Sequence, residues 1–252
     1  MSERCGYVRT GRGYRIRFCT EGADDARRGM PLVLLCHGLG SQMRHPLIQY
    51  LQQHLRRRRY ATLRFDFAGH GKSSGSVSDR TVRNFFLDLT DMVKWAAEHP
   101  VYHSVPLYVI GHSIGALAAL MYAASPRQIS SGVALVSCNA DAGMKYRIML
   151  RSGKTKRYRR YTRVGTSRVS RNFWSDRNRH EPRRYVARIR VPMLFLCGLL
   201  DVTNPPEETK KLYRLAHGSK EISLIPRADH HFRRSREQAA VFSILRQWLE
   251  RA

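Results

Sequence analysis

Acid is scarce in this chain. Its 19 Asp and Glu stand against 45 Lys and Arg, a formal net charge of +26. Solubility alone does not ask for so one-sided a balance. It favours polyanions: nucleic acid, an acidic membrane surface or a phosphate-bearing substrate. Long apolar runs are also missing, and none approaches the roughly 20 residues of a membrane-spanning helix. The stretch Met1–Gly13 lacks the apolar core of a secretory signal. The expected location is cytoplasmic, with organelle targeting by the Arg-rich N-terminus left open. Cysteine is sparse and odd in number: Cys5, Cys19, Cys36, Cys138 and Cys197, with no Cys-x-x-Cys pair. No zinc site is suggested, and buried reduced thiols in a reducing compartment are expected.

What the chain does have is 42% hydrophobic residues over 252 positions, which suits one large α/β domain. Short apolar runs at 31–37, 61–65, 106–110, 132–137, 192–197 and 221–225 read as strands bounded by Gly, Pro or polar residues. Residues 14–18 alternate like a further strand, so the N-terminus is read as part of the fold. The clearest helix is 81–99, with Phe85, Leu89, Met92 and Val93 in an apolar stripe, Asp79 or Ser78 as N-cap and Pro100 as stop. Others are expected at 46–56, 114–124, 206–217 and 236–251. Helices alternating with strands predict a mostly parallel sheet covered on both faces.

Residues 139–190 break this pattern. They carry 17 Lys or Arg against three acids, interleaved with Tyr146, Tyr158, Tyr161, Phe173, Trp174 and Tyr185. With weak helical periodicity and too little apolar content for a core of its own, the segment reads as an insertion. The core is then 1–138 together with 191–252.

Five motifs carry chemistry. The apolar strand Val109-Ile110 runs into Gly111-His112-Ser113-Ile114-Gly115 and at once into an Ala-rich helix, the context of a nucleophile elbow. Leu35-Cys36-His37-Gly38-Leu39-Gly40 ends an earlier strand and would aim the Leu39 N–H at the site, opposite that of Ile114. His37 is read as a brace for this loop rather than as a base. The third motif is Asp66-Phe67-Ala68-Gly69-His70-Gly71-Lys72-Ser73, where Asp66 is read as stabilising a turn. The fourth is Phe195-Leu196-Cys197-Gly198-Leu199-Leu200-Asp201, which delivers a carboxylate at a strand end. The last, Arg227-Ala228-Asp229-His230-His231-Phe232, follows the final strand with two candidate bases.

Together these motifs resemble the α/β-hydrolase superfamily, and within it the branch of feruloyl esterases, monoglyceride lipases and serine aminopeptidase-like hydrolases. The resemblance runs from Met30 to Trp248. It implies an α/β-hydrolase fold with the order Ser, acid, His: Ser113 as nucleophile, Asp201 as acid and His230, the histidine directly after an Asp, as base. His231 is the alternative base, and Asp229 is read as structural. The resemblance also makes 139–190 a lid over Ser113. Arg227 departs from the pattern, which has Gly there, and the lid is unusually basic.

The expected activity is cleavage of a carboxylic ester or thioester through an acyl-enzyme, with the Leu39 and Ile114 N–H groups as oxyanion hole and no metal or organic cofactor. Lys154, Lys156, Arg157, Arg159 and Arg160 are candidate anion-binding residues, suited to a phosphate-bearing thioester such as an acyl-CoA. Peptidase activity is disfavoured, since no acidic group in the lid would hold a free amino terminus. The competing reading is a non-catalytic scaffold that binds nucleic acid or another polyanion through the lid.

Overall fold

The structure, a computed structural model, describes residues 3–252. Of the N-terminal stretch, Met1 and Ser2 lie outside the described residues. The elements run β1 (Arg4–Arg9), β2 (Arg15–Glu21), α1 (Ala23–Arg27), β3 (Leu32–Cys36), α2 (Pro46–Arg57), β4 (Ala61–Phe65), α3 (Val82–Glu98), β5 (Leu107–His112), α4 (Ile114–Ala123) and β6 (Gly132–Val136). The 139–190 segment follows, with α5 (Ala142–Arg151), β7 (Thr155–Arg157), β8 (Thr162–Val164), β9 (Ser167–Val169), α6 (Phe173–Asn178) and α7 (Pro182–Val186). The chain returns through β10 (Met193–Gly198), α8 (Pro206–Leu215), β11 (Lys220–Ile225) and α9 (Ser235–Leu249).

Eight strands form one sheet in the order β1-β2-β4-β3-β5-β6-β10-β11. The pairings of β1 with β2 and of β2 with β4 are antiparallel; the others are parallel. This is the α/β-hydrolase fold that the motifs imply. The central strands bury both faces, and their residues divide by parity. Leu32, Leu34, Val109, Val133, Leu135, Met193 and Phe195 pack towards α3, α4 and α8. Val33, Leu35, Ile110, Ala134, Val136, Leu194 and Leu196 pack towards α2 and α9. Each such aliphatic or aromatic side chain contributes about 1.5–3 kcal/mol over its exposed state, so the two layers hold the sheet rigid beneath the site.

Three expectations need correction. The N-cap of α3 is Thr81, whose hydroxyl accepts the Asn84 N–H at 3.1 Å. Ser76 and Asp79 instead close a capping box on a 3-10 turn at Val77–Asp79 just upstream. The middle of the insertion is not helical. β7, β8 and β9 form a separate antiparallel sheet, with strands of three residues that are too short to print an alternating pattern. Cysteine is the third. Cys36, Cys138 and Cys197 are buried free thiols, but Cys5 and Cys19 face each other across the β1–β2 ladder and form a disulfide. Strand register, which no Cys spacing announces, creates that pair.

Candidate active site

In a parallel sheet the C-terminal ends of the strands share one edge. Here β3 leads to Leu39, β5 to Ser113, β6 to Asn139, β10 to Asp201 and β11 to His230. Residues far apart in the chain therefore meet above that edge.

Ser113 stands between β5 and α4 with φ 58° and ψ −114°. A non-glycine residue in that region is strained, by about 1–3 kcal/mol. The strain holds because the surroundings leave no alternative. A Cβ on Gly111 would lie 2.3 Å from the Gly115 carbonyl oxygen, and one on Gly115 only 2.6 Å from that of His37. The two glycines of the motif are thus demanded by the close approach of α4 to β5 and to β3.

His230 bridges the other two residues. Its Nδ1–H donates to Asp201 Oδ2 at 2.8 Å, and its Nε2 lies 3.0 Å from the Ser113 hydroxyl. A carboxylate can only accept, so Nδ1 carries the proton and Nε2 is free to receive the hydroxyl proton. Asp201 is buried, which by itself would raise its pKa. The hydrogen bond and charge of His230 and the Asn204 N–H oppose this, and the net pKa lies below the ordinary carboxylate value. Its Oδ1 accepts the N–H groups of Thr203 and Asn204 at 2.9 and 2.7 Å, so the carboxylate cannot rotate away from the imidazole. His231 and Asp229 fall outside this relay. Asp229 Oδ1 accepts the N–H groups of His231 and Phe232 and shapes the turn that presents His230. Arg227 has φ 59°. The departure from Gly is therefore carried in a left-handed conformation, at a cost.

The Leu39 and Ile114 N–H groups find no protein acceptor among the described residues, and both residues line the cavity that contains Ser113. Ile114 opens α4, where unpaired N–H groups and the positive end of the helix dipole coincide. His37 braces the neighbouring loop: Nδ1–H donates to the Gly38 carbonyl at 2.8 Å, and Nε2 accepts the Phe67 N–H at 3.2 Å. Burial lowers its pKa to about 4, so it stays neutral. Asp66 accepts the Met43 and Lys72 N–H groups and lies in the turn.

One positioning residue has no sequence signal beyond its place in the elbow motif. His112 Nε2–H donates to the His230 carbonyl at 2.7 Å, tying the loop that carries His230 to the strand that presents Ser113. Desolvation by burial keeps its pKa well below the usual histidine value.

The cavity has a volume of about 370 Å³ and is walled on one side by the insertion, through Met149, Val164, Phe173, Trp174 and Arg177. Of the five candidate anion-binding residues only Lys154 lines it. Lys156, Arg157, Arg159 and Arg160 are exposed on and beside β7, outside the cavity. Of the five, Lys154 alone is therefore placed to meet a group held inside the cavity, while the other four face solvent. Arg177, which no sequence motif marks, also reaches the cavity.

Known proteins fit this architecture. Est1E from Butyrivibrio proteoclasticus, solved with ferulic acid bound, superposes with a TM-score of 0.80 at 21% identity, over 97% of this chain and 99% of that one. The esterase domain of a Rhodothermus marinus protein gives 0.78 at 22% identity over 100% and 99%. An uncharacterised 31.7 kDa Escherichia coli protein from the traX-finO intergenic region is 22% identical over 230 residues, covering 76% of this chain and 80% of its own. Residues 30–187 match the family described as serine aminopeptidase, S33. With more than half its length inside that match, the chain is a member of the serine aminopeptidase S33 family of α/β-hydrolases.

Proposed function

We propose that the protein is a serine hydrolase that cleaves carboxylic esters, or thioesters of the same acyl groups, by a two-step acyl transfer. The observation that carries this reading is the unbroken Ser113–His230–Asp201 relay opening onto a cavity. The Ser113 hydroxyl attacks the carbonyl carbon while His230 Nε2 takes its proton. Asp201 holds the imidazole in the required tautomer and offsets the positive charge that forms on the ring. The oxyanion sits between the Leu39 and Ile114 N–H groups, donors already oriented before the charge develops. Collapse expels the alcohol or thiol, which leaves with the proton from His230. Water then gives a proton to His230 as it attacks the acyl-enzyme, and His230 passes that proton to Ser113 Oγ as the acid is released. Segment 139–190 acts in this scheme as a lid, supplying the wall that selects the acyl or alcohol group.

A fluorophosphonate probe tests the reading directly. Labelling should map to Ser113 and vanish in Ser113→Ala, a variant that keeps the wild-type melting temperature because only a half-buried hydroxyl is lost and the backbone is unchanged. Labelling at another residue, or none in a well-folded sample, overturns it. The exposed cations Lys156, Arg157, Arg159 and Arg160 favour an additional contact with an external polyanion or acidic membrane surface, outside the reaction itself.

A further inference from the structure

The relay leaves a buried charged side chain of the cavity unused. Arg177, on α6, is 2% exposed yet lines the same cavity as Ser113 and His230. Nη2–H donates to Asn139 Oδ1 at 2.9 Å and Nη1–H to the His180 carbonyl at 2.8 Å. Both partners are neutral. The three acids of the segment are engaged elsewhere: Asp141 with Arg147 at 3.6 Å, Asp176 with His180 at 3.5 Å and Glu181 with Arg183 at 3.1 Å. No carboxylate among the described residues pairs with Arg177. Buried charges are ordinarily paired, because removing an ion from water is costly without a counterion. Burial is the largest influence on the guanidinium and leaves its pKa below the ordinary value, although the charges of Glu181 and Asp141, neither within ion-pair distance, act in the opposite direction.

A second, independent group points the same way. Trp174 lines the cavity and is 8% exposed, and its Nε1–H is buried with no acceptor among the described residues. Lys154 and Arg233 add positive charge at the wall, and no Asp or Glu is among the cavity's lining residues. A buried cation and an orphaned donor, set among Phe173, Met149 and Val164, make a site for a small organic anion. The planar donor fork of Arg matches a carboxylate in particular.

We propose that Arg177 binds a substrate carboxylate, so that the enzyme acts on half-esters: molecules with an ester carbonyl for Ser113 and a free carboxylate for Arg177. This rests on the hydrolase reading above and names its substrate class. Arg177 supplies the missing half of a charge pair, and Trp174 Nε1–H a further donor. A neutral ester of the same length would leave both unanswered, which is the kind of mismatch that discriminates most strongly between similar substrates.

The test compares monomethyl succinate, glutarate and adipate with methyl butanoate, pentanoate and hexanoate, in which a methyl replaces the carboxylate. The wild type should prefer one of the charged esters over its neutral partner by at least about tenfold in kcat/KM. Arg177→Met should shrink that ratio at least about tenfold, and Arg177→Lys should restore part of it. In parallel, Ser113→Ala should bind the free diacids saturably, read by tryptophan fluorescence, and lose that binding when Arg177→Met is added. Equal kcat/KM for the two series in the wild type overturns the proposal while leaving the hydrolase reading intact. So does a ratio unchanged in a folded Arg177→Met variant. Diacid binding that depends on Arg177, with no ester of either series hydrolysed, keeps the anion site and sinks the hydrolase reading. Saturable binding of inorganic phosphate but not of the diacids overturns the assignment to a carboxylate.

Discussion

The sheet edge and the insertion solve opposite problems. At the edge, Ser113, Asp201 and His230 are held by buried strands and by main-chain hydrogen bonds, and strain at Ser113 is tolerated because the packing around Gly111 and Gly115 excludes relaxation. Segment 139–190 instead has short elements, much exposed charge and only part of its length turned towards the cavity. Rigidity suits groups that must meet within hydrogen-bond distance. A thin and largely solvated wall suits a surface that decides what enters. On the proposed function, the frame would carry the chemistry and the insertion the selection.

The strongest way to break it is at the base. His230→Ala should lower kcat by at least about 10⁴-fold on a short ester, whereas His231→Ala should cost less than about tenfold. Steady-state kinetics on the two purified variants decides, and the opposite ranking would put the base outside the relay. Next come the carboxylates. Asp201→Asn should reduce kcat by about 10³-fold or more, since an amide no longer fixes the imidazole tautomer. Asp66→Asn should instead cost about 1–3 kcal/mol of stability by urea unfolding, through the two main-chain N–H groups it now satisfies. A larger kcat loss in a folded Asp66→Asn would reverse their roles.

Acid should act on the frame as well. Burial lowers the pKa of His37 and of His45 to about 4 and of His70 to about 3, and holds His112 well below the usual histidine value. Unfolded, these groups take up protons below about pH 6.5. Between that pH and about 4 the unfolded chain therefore binds more protons, and stability falls as pH falls. Asp88, raised to about 6 by burial, works in the opposite direction, because the folded chain protonates it first and gains stability as pH falls. Four imidazoles outweigh one carboxyl, so the melting temperature should drop from pH 7 towards pH 4.5. A flat profile would mean that these rings are not buried. All four belong to the frame, so the drop should persist in variants of the insertion.

The smallest effects sharpen the contrast. Arg227→Gly should raise stability by up to about 1 kcal/mol, by relieving a positive φ at an exposed site. Replacing Arg157, Arg159 and Arg160 together by Ala should change kcat/KM on a small neutral ester by less than about threefold, since none of the three lines the cavity. A large loss would bring the exposed hairpin into the site.

Much of the frame was readable because its signals are local. The apolar runs that became β3 to β6, β10 and β11 needed no distant partner to be seen. The strand–Gly-x-Ser-x-Gly–helix passage states its own geometry, since only glycine fits where α4 approaches β3 and β5. The chain order of Ser113, Asp201 and His230 follows from the order in which the strands reach one edge.

Other features depended on partners remote in sequence. That the imidazole facing Asp201 belongs to His230 and not His231 was settled by the turn at Asp229, which two adjacent histidines cannot reveal by composition. The Cys5–Cys19 bond required the β1–β2 register. Among 17 basic residues in one segment, Arg177, buried beside Ser113 and His230, was indistinguishable from the exposed ones among the described residues, because a charge run records composition and not direction. Periodicity and spacing act over a few residues and are written in the chain. Burial, register and the facing of a side chain are properties of the packed whole, and only folding assigns them.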